Sequence, residues 1–200
     1  MNIEKEKQKL REKIWRILEE KKVARFPLPC FGRIPNFEGA EKAAKLLTTL
    51  PEWKKAKIVF SNPDSPQQPV RELALKEGKI LIMATPRLKK GYLKIDPKDV
   101  KGKEKEASTI KGAFKYGKAI KDLSKPDLII TGCVAVDKEG WRLGKGGGYA
   151  DREIKTFLEK FGNISVITTV HELQIIDEIP HEKHDTKVDY IVTPDKIIKL

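Results

Sequence analysis

The residues best placed to do chemistry surround three adjacent glycines. Trp141-Arg142-Leu143-Gly144-Lys145-Gly146-Gly147-Gly148-Tyr149-Ala150-Asp151-Arg152 lies between a predicted strand and a predicted helix. Glycine lets the backbone take positive φ and come close to a ligand. The helix that follows offers unpaired N–H groups and the positive end of its dipole. Arg142, Lys145 and Arg152 add positive charge. Together these residues make a phosphate cradle. The alternative is a flexible glycine-rich connection, and the flanking Arg, Tyr, Asp and Arg favour the cradle. The segment is not a Walker A loop, because it lacks the GK[ST] ending. It also misses the last glycine of the dinucleotide fingerprint.

Other reactive side chains are less organised. Lys7 and Arg11 are four residues apart on a helix rich in Lys and Glu, where most charges are simply solvated. Asp151 suits a helix first turn, and Asp185 suits a turn cap. His171, His181 and His184 form no HExxH pair. Cys133 sits in an apolar run and reads as inert core, and Cys30 has no base near it in sequence. Trp15, Trp53 and Trp141 are too scattered for a base-stacking series. Arg33-Ile34-Pro35-Asn36-Phe37 either lines a cleft or locks the first helix to the sheet.

Helices and strands must bring these groups together. Residues 3–22, 40–50, 69–77, 112–123, 150–161 and 173–178 show helical spacing or fit between breakers. Apolar runs at 58–60, 80–83, 128–130, 134–136, 164–170 and 190–192 read as strands. Residues 30–38 read as irregular, and 89–112, rich in Lys and Gly, as loop or insertion. Alternating strands and helices imply an α/β fold, a three-layer sandwich whose largely parallel central sheet is covered on both faces. The 200 residues form one predicted domain, 1–200.

Composition narrows the class. Lys plus Arg is 41 and Asp plus Glu is 29, giving +12. That excess points to anionic partners without choosing among them. No apolar run approaches the ~18–20 residues of a membrane span. Residues 1–22 lack the apolar core of a signal peptide, so the expected location is cytoplasmic. Two distant cysteines exclude a disulfide scaffold. Abundant Lys and Glu with few Met and Cys fit a thermophile.

The glycine-rich segment resembles the signature of the 5-formyltetrahydrofolate cyclo-ligase (methenyltetrahydrofolate synthetase) family. Lys7-Gln8-Lys9-Leu10-Arg11, Thr85-Pro86-Arg87 and His184-Asp185-x-x-Val188-Asp189-x-Ile191-Val192-Thr193 resemble its other motifs, in order. Phe26-Pro27, Arg33 to Phe37 and Asn62-Pro63-Asp64-x-Pro66-Gln67 are similar to the methenyltetrahydrofolate synthetase domain-containing branch, in which this domain is joined to an RNA-recognition motif. The resemblance implies an ATP- and Mg²⁺-dependent ligase closing 5-formyltetrahydrofolate, or a related reduced pterin, to the methenyl form. It implies catalytic roles for Arg142, Lys145 and Tyr149. Lys7, Arg11, Gly144, Gly146, Gly147, Gly148 and Arg152 would bind ATP, and Asp151 and Asp185 would hold Mg²⁺. Where the family carries a folate-site glutamate, this chain has residues 62–68, with Asp64 as the acid. Ala150 stands where the family has a second aromatic. The competing reading is a non-catalytic nucleotide- or RNA-binding module on the same fold.

Overall fold

The computed structural model describes residues 2–200. Helix α1 (Ile3–Glu20) starts at Asn2, whose side chain caps the Glu4 N–H. Its buried stripe is Lys7, Arg11, Ile14, Trp15 and Leu18, at helical spacing. A short antiparallel pair follows, β1 (Ala24–Arg25) and β2 (Asn36–Phe37). Next come α2 (Ala40–Leu47), α3 (Pro51–Lys55), β3 (Ile58–Ser61), α4 (Gln68–Lys76), β4 (Ile80–Ala84) and β5 (Tyr92–Ile95). The middle of the chain forms α5 (Glu104–Ala107), α6 (Ile110–Tyr116), β6 (Lys118–Ile120), β7 (Leu128–Thr131), β8 (Ala135–Asp137) and β9 (Arg142–Leu143). The rest is α7 (Tyr149–Phe161), β10 (Ser165–Thr169), β11 (Ile175–Ile176), β12 (Tyr190–Val192) and β13 (Ile197–Lys199).

Eight strands form the main sheet in the order β13-β12-β10-β7-β3-β4-β5-β6. The inner five are parallel, while β13, β5 and β6 join antiparallel. Alternate residues serve opposite faces, as a period of two requires. Val59, Leu128, Ile130, Ile167 and Tyr190 pack with α1 and α2. Phe60, Ile129, Val166 and Ile191 pack with Ile154 and Phe157 of α7. The expected α/β three-layer arrangement is therefore present. A second small sheet, β11-β8-β9, carries the chain into the glycine turn.

The strand order positions the site. From β3 the chain goes first to β4 on one side, then to β7, β10 and β12 on the other. The connections therefore part at the carboxyl ends of β3 and β7, where open α/β sheets form their ligand crevice.

Several elements differ from the sequence expectation. The stretch read as loop, 89–112, contains β5, α5 and the start of α6. Only Leu93 and Ile95 of β5 are fully buried, so its apolar alternation is short and hidden among lysines. The helix expected over 112–123 ends at Tyr116, because Gly117 turns extended and the chain continues as β6 on β5. The helix expected over 173–178 is a 3-10 turn at Glu172–Gln174, capped by His171, followed by β11. The helix expected over 40–50 ends at Leu47, and Pro51 opens α3 instead, since an N-terminal turn tolerates its missing N–H. Residues 30–38 include β2, and β13 is additional.

Candidate functional site

The glycine turn leads straight into α7. Gly148 is the N-cap, in the left-handed region at φ 72°, and no side chain caps this helix end. The first-turn N–H groups of α7 are therefore available to an anion. Gly147 allows a close approach of another kind. A Cβ there would stand 2.8 Å from the Tyr149 ring. Arg152 lies over that ring, 4.8 Å from its centre, and donates to the Gly147 carbonyl at 3.1 Å.

Helix α1 brings two more cations to the turn. Arg11 Nε donates to the Gly144 carbonyl at 2.7 Å. Lys7 Nζ donates to Asp185 Oδ2 at 2.6 Å, with both side chains about 5% exposed or less. Burial alone would raise the Asp185 carboxyl. The Lys7 ammonium and the Glu182 N–H outweigh it and hold the group below its usual range. On the other side of the turn, Arg142 Nη1 donates to Asp151 Oδ1 at 2.9 Å and Nη2 to the Gly132 carbonyl at 2.6 Å. Thr186 Oγ1 donates to the same Asp151 oxygen at 2.6 Å. Arg142 Nε is buried and unpaired. Among the described residues, Asp151 Oδ2 and Asp185 Oδ1 carry no hydrogen bond. Two hard carboxylate oxygens beside the glycine turn are of the kind that could hold Mg²⁺, which takes few protein ligands plus phosphate. Glu4, Glu182 and His184 also bring ligand-type atoms within 4.8 Å of one another near the end of α1.

Beside the turn is a cavity of about 200 Å³, at the carboxyl ends of β3 and β4. Its walls include Ile34, Pro63, Asp64, Thr85, Pro86, Arg87, Ile110, Lys145, Tyr149 and Glu153. Of residues 33–37, Ile34 lines the cleft, and the Arg33 carbonyl accepts from Trp15 of α1. Burial pushes the Asp64 carboxyl up, against the pull of Lys145, Arg71 and Arg142. Arg87 and Leu88, at the rim, both hold φ of 54°, a strained setting for residues with side chains. A larger open groove of about 910 Å³ lies along β2, α2 and α4. Its Arg25, Lys42 and Lys76 are paired with Glu38, Asp195 and Glu72, and no glycine-turn residue lines it.

The structure thus gathers Lys7, Arg11, Arg142, Asp151, Asp185 and Gly144 to Gly148 around one turn. Lys145 and Arg152 are exposed, Lys145 lines the cleft, and Lys145 makes no ion pair among the described residues. Four residues had no signal in local spacing. Arg71, fully buried, donates to the carbonyls of Asn62, Asp64 and Ser108 at 2.7–2.9 Å and clamps the loop after β3. Burial pulls its guanidinium down to about 10. Asn62 and Glu153 pair inside the cleft, and burial pushes the Glu153 carboxyl up to about 8. Thr186 fixes Asp151. Asn62, Glu153 and Thr186 act through partners 35 to 91 positions away, and Arg71 ties its nearby loop to Ser108, 37 positions on.

This fold and site define an α/β protein with a glycine turn and an uncapped helix N-terminus at its sheet's switch point. The chain belongs to the 5-formyltetrahydrofolate cyclo-ligase family, whose profile matches residues 3–194. It is 41% identical to the methenyltetrahydrofolate synthase domain-containing protein of Bos taurus, over 96% of this chain and 53% of that protein. It spans about half the length of the curated relatives of that kind. It is 30% identical to the probable 5-formyltetrahydrofolate cyclo-ligase of Schizosaccharomyces pombe, over 78% of this chain and 83% of that one. The NMR structure of Aquifex aeolicus 5,10-methenyltetrahydrofolate synthetase superposes with a TM-score of 0.61 at 24% identity, covering 96% and 92% of the two chains, a likeness of fold. Among the described residues no helix is long and apolar enough to cross a membrane. Neither fold nor relatives add support to an RNA-binding reading.

Proposed function

We propose that this chain is an ATP- and Mg²⁺-dependent ligase that closes 5-formyltetrahydrofolate to 5,10-methenyltetrahydrofolate. One observation carries the reading: cations from α1 and β9 and two half-committed carboxylates converge on the glycine turn that opens α7. In the reaction the formyl oxygen takes the γ-phosphoryl group of ATP, releasing ADP. N10 then bonds to the activated carbon, and the C–O bond breaks to release phosphate. Such transfer depends mainly on positioning and on neutralising charge.

Each part has a role in this chemistry. The N–H groups of Gly144 to Gly148 and the first turn of α7 cradle phosphate oxygens. Lys145 and the unpaired Arg142 Nε face them with positive charge. Lys7 and Arg11 hold Asp185 and the Gly144 carbonyl, and so fix the cradle's shape. Asp151 Oδ2 and Asp185 Oδ1 would hold Mg²⁺, which supplies further neutralisation of the phosphates. Tyr149, backed by Arg152, stacks on the substrate ring. We read residues 1–200 as one domain of a cytoplasmic protein, and abundant Lys and Glu with few Met and Cys support a thermophile source.

The test is direct. Folded protein given Mg-ATP and 5-formyltetrahydrofolate is expected to yield the methenyl chromophore and substrate-dependent ADP. Neither product would refute the reading. ATP hydrolysis stimulated by another metabolite, but not by the formyl folate, would replace the substrate and keep the ligase class.

A further inference from the structure

Asn62 and Glu153 line the cleft, and the proposed reaction leaves them without a role. Both are buried, each 4% exposed. Asn62 Nδ2 donates to Glu153 Oε2 at 2.7 Å, and Glu153 has no other hydrogen-bond partner for its carboxyl among the described residues. Asn62 Oδ1 is buried with no partner. Turning the amide over changes which end meets Glu153 but leaves the other end unpaired. The cations that act on Glu153 are spent elsewhere, and Lys145, without an ion pair among the described residues of the same cleft, acts on Asp64 instead. Arg142 serves Asp151 and Gly132, and Arg152 serves Gly147. Arg71 is occupied by the main-chain carbonyls of Asn62 and Asp64. Folded proteins pair their buried polar groups, and an exception calls for a role.

The floor of the cleft therefore holds two acceptors with spare capacity, a carboxyl and an amide oxygen. Around them stand Ile34, Pro63, Pro86 and Ile110, with Tyr149 at the glycine turn. Such walls suit a flat ring. The geometry points to Asn62 and Glu153 as a specificity-determining pair for a planar heterocycle bearing a cyclic-amidine edge, a ring N–H beside an exocyclic amino group. A ligand with a carboxylate or phosphate at that end would keep the Glu153 and Asp64 carboxyls protonated and leave the Asn62 amide oxygen unpaired. A hydrocarbon end would leave both acceptors unpaired. The inference rests on the proposed function in taking this cleft as the site of a reduced pterin, and it assigns the recognition of the ring edge to the loop after β3 and the second turn of α7.

Equilibrium titrations without nucleotide test it, using pterin, 2-desaminopterin and 5-formyltetrahydrofolate. The wild type is expected to prefer pterin to its desamino analogue. Glu153→Gln should weaken pterin and the formyl folate about 10- to 100-fold while leaving desaminopterin nearly unchanged. ATP affinity, measured separately, should stay within about twofold. Asn62→Ser serves as a second variant, with a smaller loss in the same order, and thermal unfolding verifies that each variant is folded. A wild type that binds neither ring, or does not distinguish them, overturns the pair's role. So does a Glu153→Gln protein that weakens both rings equally. Pterin preference without binding of the formyl folate would refute the folate reading and keep the pair. Turnover of the formyl folate without ring discrimination would do the reverse.

Discussion

Lys7 illustrates how far a residue's chemistry depends on its partner. On α1 it is one lysine among many, and helical spacing alone assigns it to solvent. The structure buries it against Asp185, a partner 178 positions away. Motif order could nominate both residues, but the ion pair itself was invisible to local spacing. Arg142, whose guanidinium joins Asp151 to the Gly132 carbonyl, and Arg71, which holds main-chain carbonyls, have nearer partners that spacing still does not single out. Removing one member of a buried pair leaves the other uncompensated and typically costs about 3–5 kcal/mol. Lys7→Met is therefore expected to lose stability of that order at neutral pH. The sign of its pH dependence follows from Asp185. Held below its usual range, the wild-type carboxylate contributes stability above its unfolded pKa and loses it as pH falls through the folded value. Without Lys7 the dominant influence is burial, which favours the protonated acid. The stability gap between wild type and variant should thus narrow toward about pH 4, where carboxylates begin to protonate. Denaturant melts at both pH values measure it, and an equal gap at both would show that Lys7 acts through packing of its stem.

At the scale of elements, α7 and its glycine turn were legible because both constraints are local: glycine conformation and a helix N-terminus. The parallel core strands were legible as continuous apolar runs, being buried on both faces. The edge strands were not. β5 shows burial at only alternate positions, β6 at none fully, and β13 likewise, so little in their sequences separates them from polar loop. They form because a neighbouring strand offers its hydrogen bonds, a nonlocal cause. The turn allows a graded test. A Cβ on Gly144 would meet only the Arg142 guanidinium tip, at an ordinary 3.7 Å. A Cβ on Gly147 would strike the Tyr149 ring, and one on Gly148 would have to accept positive φ. Gly144→Ala should therefore change stability by less than about 0.5 kcal/mol, as for an unstrained surface site. Gly148→Ala should cost about 1–2 kcal/mol from its left-handed backbone. Gly147→Ala should leave stability nearly intact, since Tyr149 is 36% exposed, yet displace the ring from its stack and weaken folate binding about tenfold. Thermal melts paired with folate titrations separate the three. Equal effects from all three alanines would mean that the turn is a plain connection.

The whole molecule carries +12, and two effects of that charge oppose each other. Among the described residues, surface ion pairs such as Lys42 with Asp195 and Lys138 with Asp177 draw modest stability from the surface. Each is worth about 0–1 kcal/mol and is weakened by salt. The surplus of twelve cations repels itself in the compact state, and salt relieves that. With 41 bases against 29 acids, the surplus remains however many of the exposed acids are paired. Repulsion should therefore dominate. The buried pairs Lys7 with Asp185 and Arg142 with Asp151 lie where salt screens little. Raising monovalent salt from about 20 mM to about 300 mM, roughly a fourfold shortening of the Debye length, is thus expected to raise the melting temperature. Affinity for ATP should fall over the same range, because Lys145 and the outer face of the turn meet the phosphates from solvent. Opposite responses of stability and affinity are the signature of a fold whose binding charge is exposed and whose scaffolding charge is buried. A melting temperature that falls with salt would assign the stability to the surface pairs instead. An ATP affinity indifferent to salt would place the phosphate contacts on Arg142 and the turn's N–H groups, with Lys145 outside them.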